Sequence, residues 1–94
     1  MRETYSDVDV DHEAESVSFS ITSFCGTFDA EFSFDALDTL IDEIAPGHEL
    51  HCRETAAIAW QPELKDIAVE LHRPGGRRLN VSAADIRNRR RRRH

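Results

Sequence analysis

Apolar and polar residues alternate through residues 16–34, SVSFSITSFCGTFDAEFSF, on both sides of Cys25–Gly26. Such alternation is typical of strands with one buried face and one solvated face. A two-residue loop at Cys25–Gly26 aligns the apolar positions of the two segments on one face. The pairs it brings together are Ser23–Phe28, Ile21–Ala30, Phe19–Phe32 and Val17–Phe34. The pattern therefore predicts a β-hairpin with a polar outer face.

The apolar period then lengthens to that of an amphipathic helix over residues 34–45. The positions with helical spacing are Phe34, Leu37, Leu40, Ile41 and Ile44. Ser33 has the chemistry of an N-cap, and Pro46–Gly47 is a helix stop. Three acids, Asp35, Asp38 and Asp42, form a stripe beside the apolar one. A solvated helix face is the ordinary interpretation of such a stripe, and a contact surface is the alternative.

Residues 50–60 alternate again and predict a third strand, with Ile58 and Trp60 on its apolar side. Residues 67–71, IAVEL, and 78–81, RLNV, predict two further strands around Pro74–Gly75–Gly76. That loop pairs two sets of apolar residues on one face, Leu71 with Leu79 and Val69 with Val81.

The alternative for residues 62–73 is a helix. Pro62 would occupy its first turn, and its apolar stripe would consist of Leu64, Ile67, Ala68 and Leu71. Short apolar runs fit either period, so we prefer strands only because their cross-strand pairs match.

A last helix is predicted over residues 83–94. Ser82 and Asp85 have the spacing of a capping box, and Ile86 can hold the first turn against the body. Six arginines follow within the last eight residues, at the helix end where the dipole favours positive charge.

These elements predict a small single α+β domain of order ββαβββ, with an antiparallel sheet of about five strands under one amphipathic helix. We expect a flexible acidic arm in residues 1–15, the α+β domain in 16–82 and a basic C-terminal helix or tail in 83–94. Val8 and Val10 alternate, so a short edge strand is the alternative for the arm. The expected core consists of Phe19, Ile21, Phe32, Ile58, Trp60, Val69 and Leu71.

Charge is divided unevenly along the 94 residues, whose net charge is −6. Residues 1–52 hold one base and thirteen acids, and residues 53–94 hold eleven bases and five acids. The two parts therefore carry net charges of −12 and +6. A chain so divided can attract its own other half or a second copy before any outside partner.

Catalytic and metal-binding motifs are weak, so we predict no enzyme activity, cofactor, metal site or small-molecule substrate. Cys52 falls on the apolar side of the predicted third strand, where it resembles a small hydrophobic residue. His48, His51 and Cys52 lie close together in the sequence and could form a zinc site with Cys25, but on that strand His51 and Cys52 point to opposite faces, which disfavours the site. No apolar segment approaches the length of a membrane span, and the acidic start lacks a signal peptide, so we expect a cytoplasmic location.

Two functions remain as hypotheses. The first is a non-catalytic protein-interaction module, expected to form a dimer or to dock on a protein partner, in which an arginine tail lies along the acidic stripe of the same or another protein. The contact residues would be Arg87, Arg89, Arg90, Arg91, Arg92 and Arg93 with Asp35, Asp38 and Asp42. In a variant, the acidic surface imitates nucleic-acid charge as an inhibitor or adaptor of a mobile element. The alternative is nucleic-acid binding, with the arginines on phosphates.

Overall fold

The computed structural model describes residues 4–23, 26–45, 52–73 and 75–92, with positions 89–92 described by their backbone alone. Within these residues, five strands and four helices form a small α+β domain. The strands are β1 (Thr4–Tyr5), β2 (Asp9–Asp11), β3 (Ser16–Ser23), β4 (Gly26–Ser33) and β5 (Arg78–Val81). The helices are α1 (Phe34–Ile44), α2 (Arg53–Ala59), α3 (Gln61–Leu71) and α4 (Ala83–Arg92).

The predicted hairpin is present as β3 and β4, but its register differs by two residues. Ser23 pairs with Gly26, and Phe19 pairs with Ala30 instead of Phe32. A shift of two preserves the faces, so the apolar positions remain together. Gly26 has a φ of +120°, a backbone conformation that L-residues avoid, and it lies beside the turn rather than within it. The closing residues Phe24 and Cys25 lie outside the described part of the chain.

Strands β1 and β2 are two parts of one edge strand, and both pair antiparallel with β3. Tyr5 lies opposite Ile21 and Asp9 lies opposite Ser18, so the edge strand contains one residue more than β3 between these pairs. This extra residue makes a β-bulge. Part of the predicted acidic arm thus belongs to the sheet, in agreement with the alternative of an edge strand.

Strand β5 pairs parallel with β4, which makes the sheet mixed instead of purely antiparallel. A parallel pair needs a long crossover, because the chain must return to the same end of the sheet. Residues 34–77 provide it through α1, α2 and α3. The predicted order ββαβββ is therefore wrong, although the number of strands is five.

Helices α2 and α3 replace the strands predicted at 50–60 and 67–71, and the alternative of a helix over 62–73 is the correct one. Pro62 lies in the first turn of α3, and the buried apolar residues Leu64, Ile67 and Ala68 have helical spacing. In α2 the buried residues are Ala56 and Ala57, so Ile58 points outward and is 54% exposed. Trp60 joins the helices and is half-buried instead of ending a strand.

One apolar cluster lies between the inner face of the sheet and the helices. A row of aligned residues crosses four strands, in the order Val10, Val17, Phe32, Val81. Of the predicted core, Phe19, Ile21 and Phe32 are buried, whereas Val69 and Leu71 are half-buried. The helices supply the other side of this cluster. On the opposite face of the sheet Asp9, Asp29 and Arg78 are exposed, whereas Ser16 is buried.

Both predicted serine caps are present. The Ser33 hydroxyl accepts a hydrogen bond from the Ala36 backbone N–H at 3.0 Å and caps α1. At α4 the Asp85 backbone N–H donates to the Ser82 hydroxyl, and the Ser82 backbone N–H donates to the Asp85 carboxylate at 2.9 Å. This reciprocal pair is a capping box. Ile86 is fully buried and attaches the first turn to the core.

Replacing Ile86 by Ala should destabilise the protein by about 2–5 kcal/mol, because it removes the buried side chain that holds α4 to the body. Urea unfolding followed by circular dichroism measures the change. Asn88→Ala, at an exposed position of the same helix, is the control and should change stability by less than about 0.5 kcal/mol. Equal effects from the two variants would contradict this role of Ile86.

Gln61 links the start of α3 to the bulged edge strand. Its side chain is 7% exposed, and its Nε2 donates to the Ser6 carbonyl at 2.7 Å. The Ser6 hydroxyl in turn accepts from the Ser20 backbone N–H at 2.8 Å. The amide therefore satisfies a carbonyl where the bulge interrupts the regular ladder.

Gln61→Ala should cost about 1–3 kcal/mol of unfolding free energy, because the Ser6 carbonyl loses its partner. Hydrogen exchange should accelerate at the amides of residues 4–11 more than at those of β4. Asp66→Asn, at an exposed site of the same helix, should change neither measurement appreciably. Uniform acceleration across the sheet would instead indicate a general loss of stability.

Candidate protein-interaction surfaces

The outer face of the sheet is a continuous polar surface. Aligned residues cross it in rows, because paired positions on neighbouring strands share a face. The rows are Thr4–Thr22–Thr27, Ser20–Asp29–Arg78, Asp9–Ser18–Glu31–Asn80 and Asp11–Ser16–Ser33. Hydroxyl and carboxylate groups dominate these rows, and no aromatic residue occurs in them.

Two carboxylates at the centre of this face are held by serine hydroxyls. Ser20 donates to Asp29 at 2.6 Å, and Ser16 donates to Glu31 at 2.7 Å. Arg78 lies 3.8 Å from the second oxygen of Glu31 and is 73% exposed in its side chain. These cross-strand bonds hold each carboxylate in one orientation while leaving the face accessible.

An open depression of about 260 Å³ lies at this part of the face. Its polar lining includes four acids and one base, which are Asp7, Asp9, Asp29, Glu31 and Arg78. The local excess is thus three negative charges at neutral pH. Such an excess attracts a cationic partner and repels nucleic acid.

The acidic stripe of α1 does not behave as one unit. Asp35 and Asp42 are exposed, whereas Asp38 is half-buried. Asp38 forms an ion pair with Arg53 at 3.0 Å, and the Arg53 guanidinium also lies 4.5 Å from the centre of the Phe34 ring. A base at the start of α2 therefore pairs with the central acid of the stripe.

The arginine-bearing helix α4 packs against α1. Phe32 and Val81 are aligned on the paired strands β4 and β5, and each helix begins two residues later. The two helices therefore start side by side at the same end of these strands. Arg87 is exposed, and positions 89–92 continue the helix. Arg93 lies outside the described residues. The fold thus brings the predicted tail and stripe to neighbouring helices, and their direct contact stays a prediction.

Sequence reasoning did not select Asp9, Asp29 or Glu31 as site residues. The alternation had assigned Asp29 and Glu31 to the wet face of the hairpin, but acids are common throughout the first half of the chain. Their proximity to Asp9 depends on the edge strand, which the acidic composition of residues 1–15 obscured. The signal was the alternation of Val8 and Val10.

Cys52 is exposed and precedes α2, instead of lying on the apolar side of a strand. The backbone N–H of Thr55, and to a smaller extent its hydroxyl and the backbone N–H of Glu54, lower the pKa of the Cys52 thiol below its ordinary value. Cys25, His48 and His51 lie outside the described residues. Within the described ranges, no group of three or more potential ligands is placed to hold a metal ion.

Trp60 packs against the core, and the rings of Phe19 and Phe32 stack on the inner face at 6.0 Å. A sheet that binds single-stranded nucleic acid through its surface presents exposed aromatic rings among bases. In the described strands, the aligned rows of the outer face combine hydroxyls with acids and contain no aromatic residue.

Comparison with known proteins finds no match to a family model, a curated protein or a solved structure. None of the helices in the described part of the chain has the length and apolar character needed to cross a bilayer.

The lowered pKa of Cys52 predicts faster alkylation below the ordinary thiol pKa, because the thiolate is the reactive form. In a Cys25→Ser background, the pH dependence of iodoacetamide labelling by mass spectrometry measures the Cys52 pKa. Thr55→Val removes the hydroxyl and should raise this pKa slightly, since the backbone N–H remains. A profile at or above that of free cysteine would contradict the stabilisation of the thiolate.

Proposed function

We propose that this chain is a non-catalytic protein-interaction module that self-associates or docks on a protein partner through oppositely charged surfaces. The observation that carries the proposal is the packing of α4 against α1, which keeps the arginine-bearing helix in the helical layer. The acidic face lies on the other side of the sheet. The arginine-bearing helix and the acidic outer face thus lie on different sides of the sheet, while the acidic helix α1 lies beside the arginines.

The contacts within the acidic face support a binding role for it. Its hydroxyls hold Asp29 and Glu31 in fixed orientations, so a partner would meet carboxylates that lose little side-chain freedom on binding. Arginine suits such a partner, because its planar guanidinium can donate two parallel hydrogen bonds to one carboxylate. Individual exposed pairs contribute little, so several must form together.

A variant of this function is imitation of nucleic acid. The alternating positions of Asp29 and Glu31 on one strand are about 7 Å apart, a spacing close to that of phosphates along one strand of a duplex. A face of this kind would occupy the basic groove of a host protein, as expected of an acidic inhibitor or adaptor of a mobile element.

The second candidate is nucleic-acid binding through α4. It is favoured by the capping box, which fixes the start of the helix, and by the exposed position of Arg87 beyond the buried Ile86. A capped basic helix can follow phosphates without reading sequence. The acidic outer face opposes this function by repelling the same ligand.

Deletion of residues 87–94 separates the two candidates while leaving Ile86 in place. If the tail serves protein contact, the deletion should change the mass measured by light scattering, and the intact protein should not bind labelled DNA or RNA at physiological salt. If the tail binds nucleic acid, the deletion should abolish the binding. For six phosphate contacts, a plot of the logarithm of the binding constant against that of the salt concentration should have a slope of about −5.

Circular dichroism and urea unfolding of the deleted protein establish that the domain remains folded. A variant of full length with glutamine at positions 87 and 89–92 provides the matched control, because glutamine retains helix propensity without charge. A folded deletion variant that changes neither mass nor nucleic-acid binding would contradict both candidates.

A further inference from the structure

We infer that the outer face of the sheet is the docking surface for the arginine-bearing helix α4 of a second copy of this chain. This inference rests on the proposed protein-interaction function and specifies its partner and its surface. The proposed contact lies at the depression of the outer face that is lined by Asp9, Asp29, Glu31 and Arg78.

The arginines of α4 and the outer-face depression of the same copy lie on opposite sides of the sheet. Helix α4 begins at Ala83, follows β5 and packs against α1, on the layer that contains the core. Ten helical residues span about 15 Å. The sheet and its apolar cluster separate this helix from the outer face, so the arginines of one copy approach the depression of another copy.

The second step concerns charge. The lining of the depression has three net negative charges, and the C-terminal eight residues contain six arginines. The outer edge of this face is also acidic, since Asp9 and Asp11 project from β2. A cationic helix from a second copy meets complementary charge, whereas two acidic faces placed together would repel.

The third step concerns the symmetry of the assembly. The two surfaces are different parts of the chain, so the contact is heterologous and runs from the tail of one copy to the face of the next. A bound pair still presents one free face, on one copy, and one free tail, on the other. Association therefore proceeds to a ring or a chain of copies, and its extent should grow with protein concentration.

Two variants with single defects test this arrangement. The face variant, Asp29→Asn with Glu31→Gln, removes two negative charges while keeping acceptors for the Ser20 and Ser16 hydroxyls. The tail variant has glutamine at positions 87 and 89–92. The control, Glu54→Gln with Asp66→Asn, removes the same number of charges from exposed positions of α2 and α3, outside both surfaces.

Light scattering should show that the mass of the wild type rises with concentration and falls as salt rises from about 50 mM to about 500 mM, since added ions screen exposed charges. Each defective variant alone should remain monomeric, whereas the control should associate like the wild type. Mixing the two defective variants should restore dimers, because one supplies an intact tail and the other an intact face. The mixture should stop at the dimer.

A wild type that stays monomeric, a tail variant that still associates, or a mixture that stays monomeric would overturn the inference. A binding assay with a labelled arginine-rich peptide then tests separately whether the proposed protein-interaction function holds when self-association does not occur. If the wild type is monomeric but binds the peptide through Asp29 and Glu31, the partner is a different basic protein and the proposed function stands. If it neither associates nor binds the peptide, both fail.

Discussion

The parallel pairing of β4 with β5 is the constraint on which the rest of the structure depends. It requires a crossover, and residues 34–77 satisfy this requirement with three helices that cover one face of the sheet. It also places the starts of α1 and α4 beside each other, because each helix follows one of the paired strands directly. The arginine-bearing helix is therefore held next to the acidic helix by backbone topology before any side chain forms an ion pair.

Sequence patterns within a few residues predicted the elements that form through contacts between residues close together in the chain. The alternation of residues 16–34 identified the hairpin, and the serines at positions 33 and 82 identified two helix starts whose hydrogen bonds the structure contains. The hairpin register was wrong by two residues, because the period of two fixes the face of a residue but not its partner. In the observed register Gly26 pairs with Ser23 and has a φ of +120°.

The elements that depend on distant contacts were not predictable in this way. Residues 67–71 alternate well enough for a strand and also have helical spacing through Leu64, Ile67 and Ala68. The helix α3 lies in the crossover between the parallel strands β4 and β5. Gln61 at its start donates a hydrogen bond to the Ser6 carbonyl, 55 residues earlier in the chain. The acidic face escaped sequence analysis for the same reason, since Asp9 reaches Glu31 only across the intervening β3.

The helical form of the tail limits how much of its charge α1 can neutralise. Consecutive helical residues are separated by about 100° around the axis, so four successive helical positions, such as 89–92 of α4, do not share one face of a helix. Helix α1 lies on one side of α4, and its central acid Asp38 is already paired with Arg53. We therefore expect part of the tail charge to be neutralised by solvent ions or by another molecule. A flexible segment can bring successive basic residues to one acidic surface, whereas a helix cannot do so for four residues in a row.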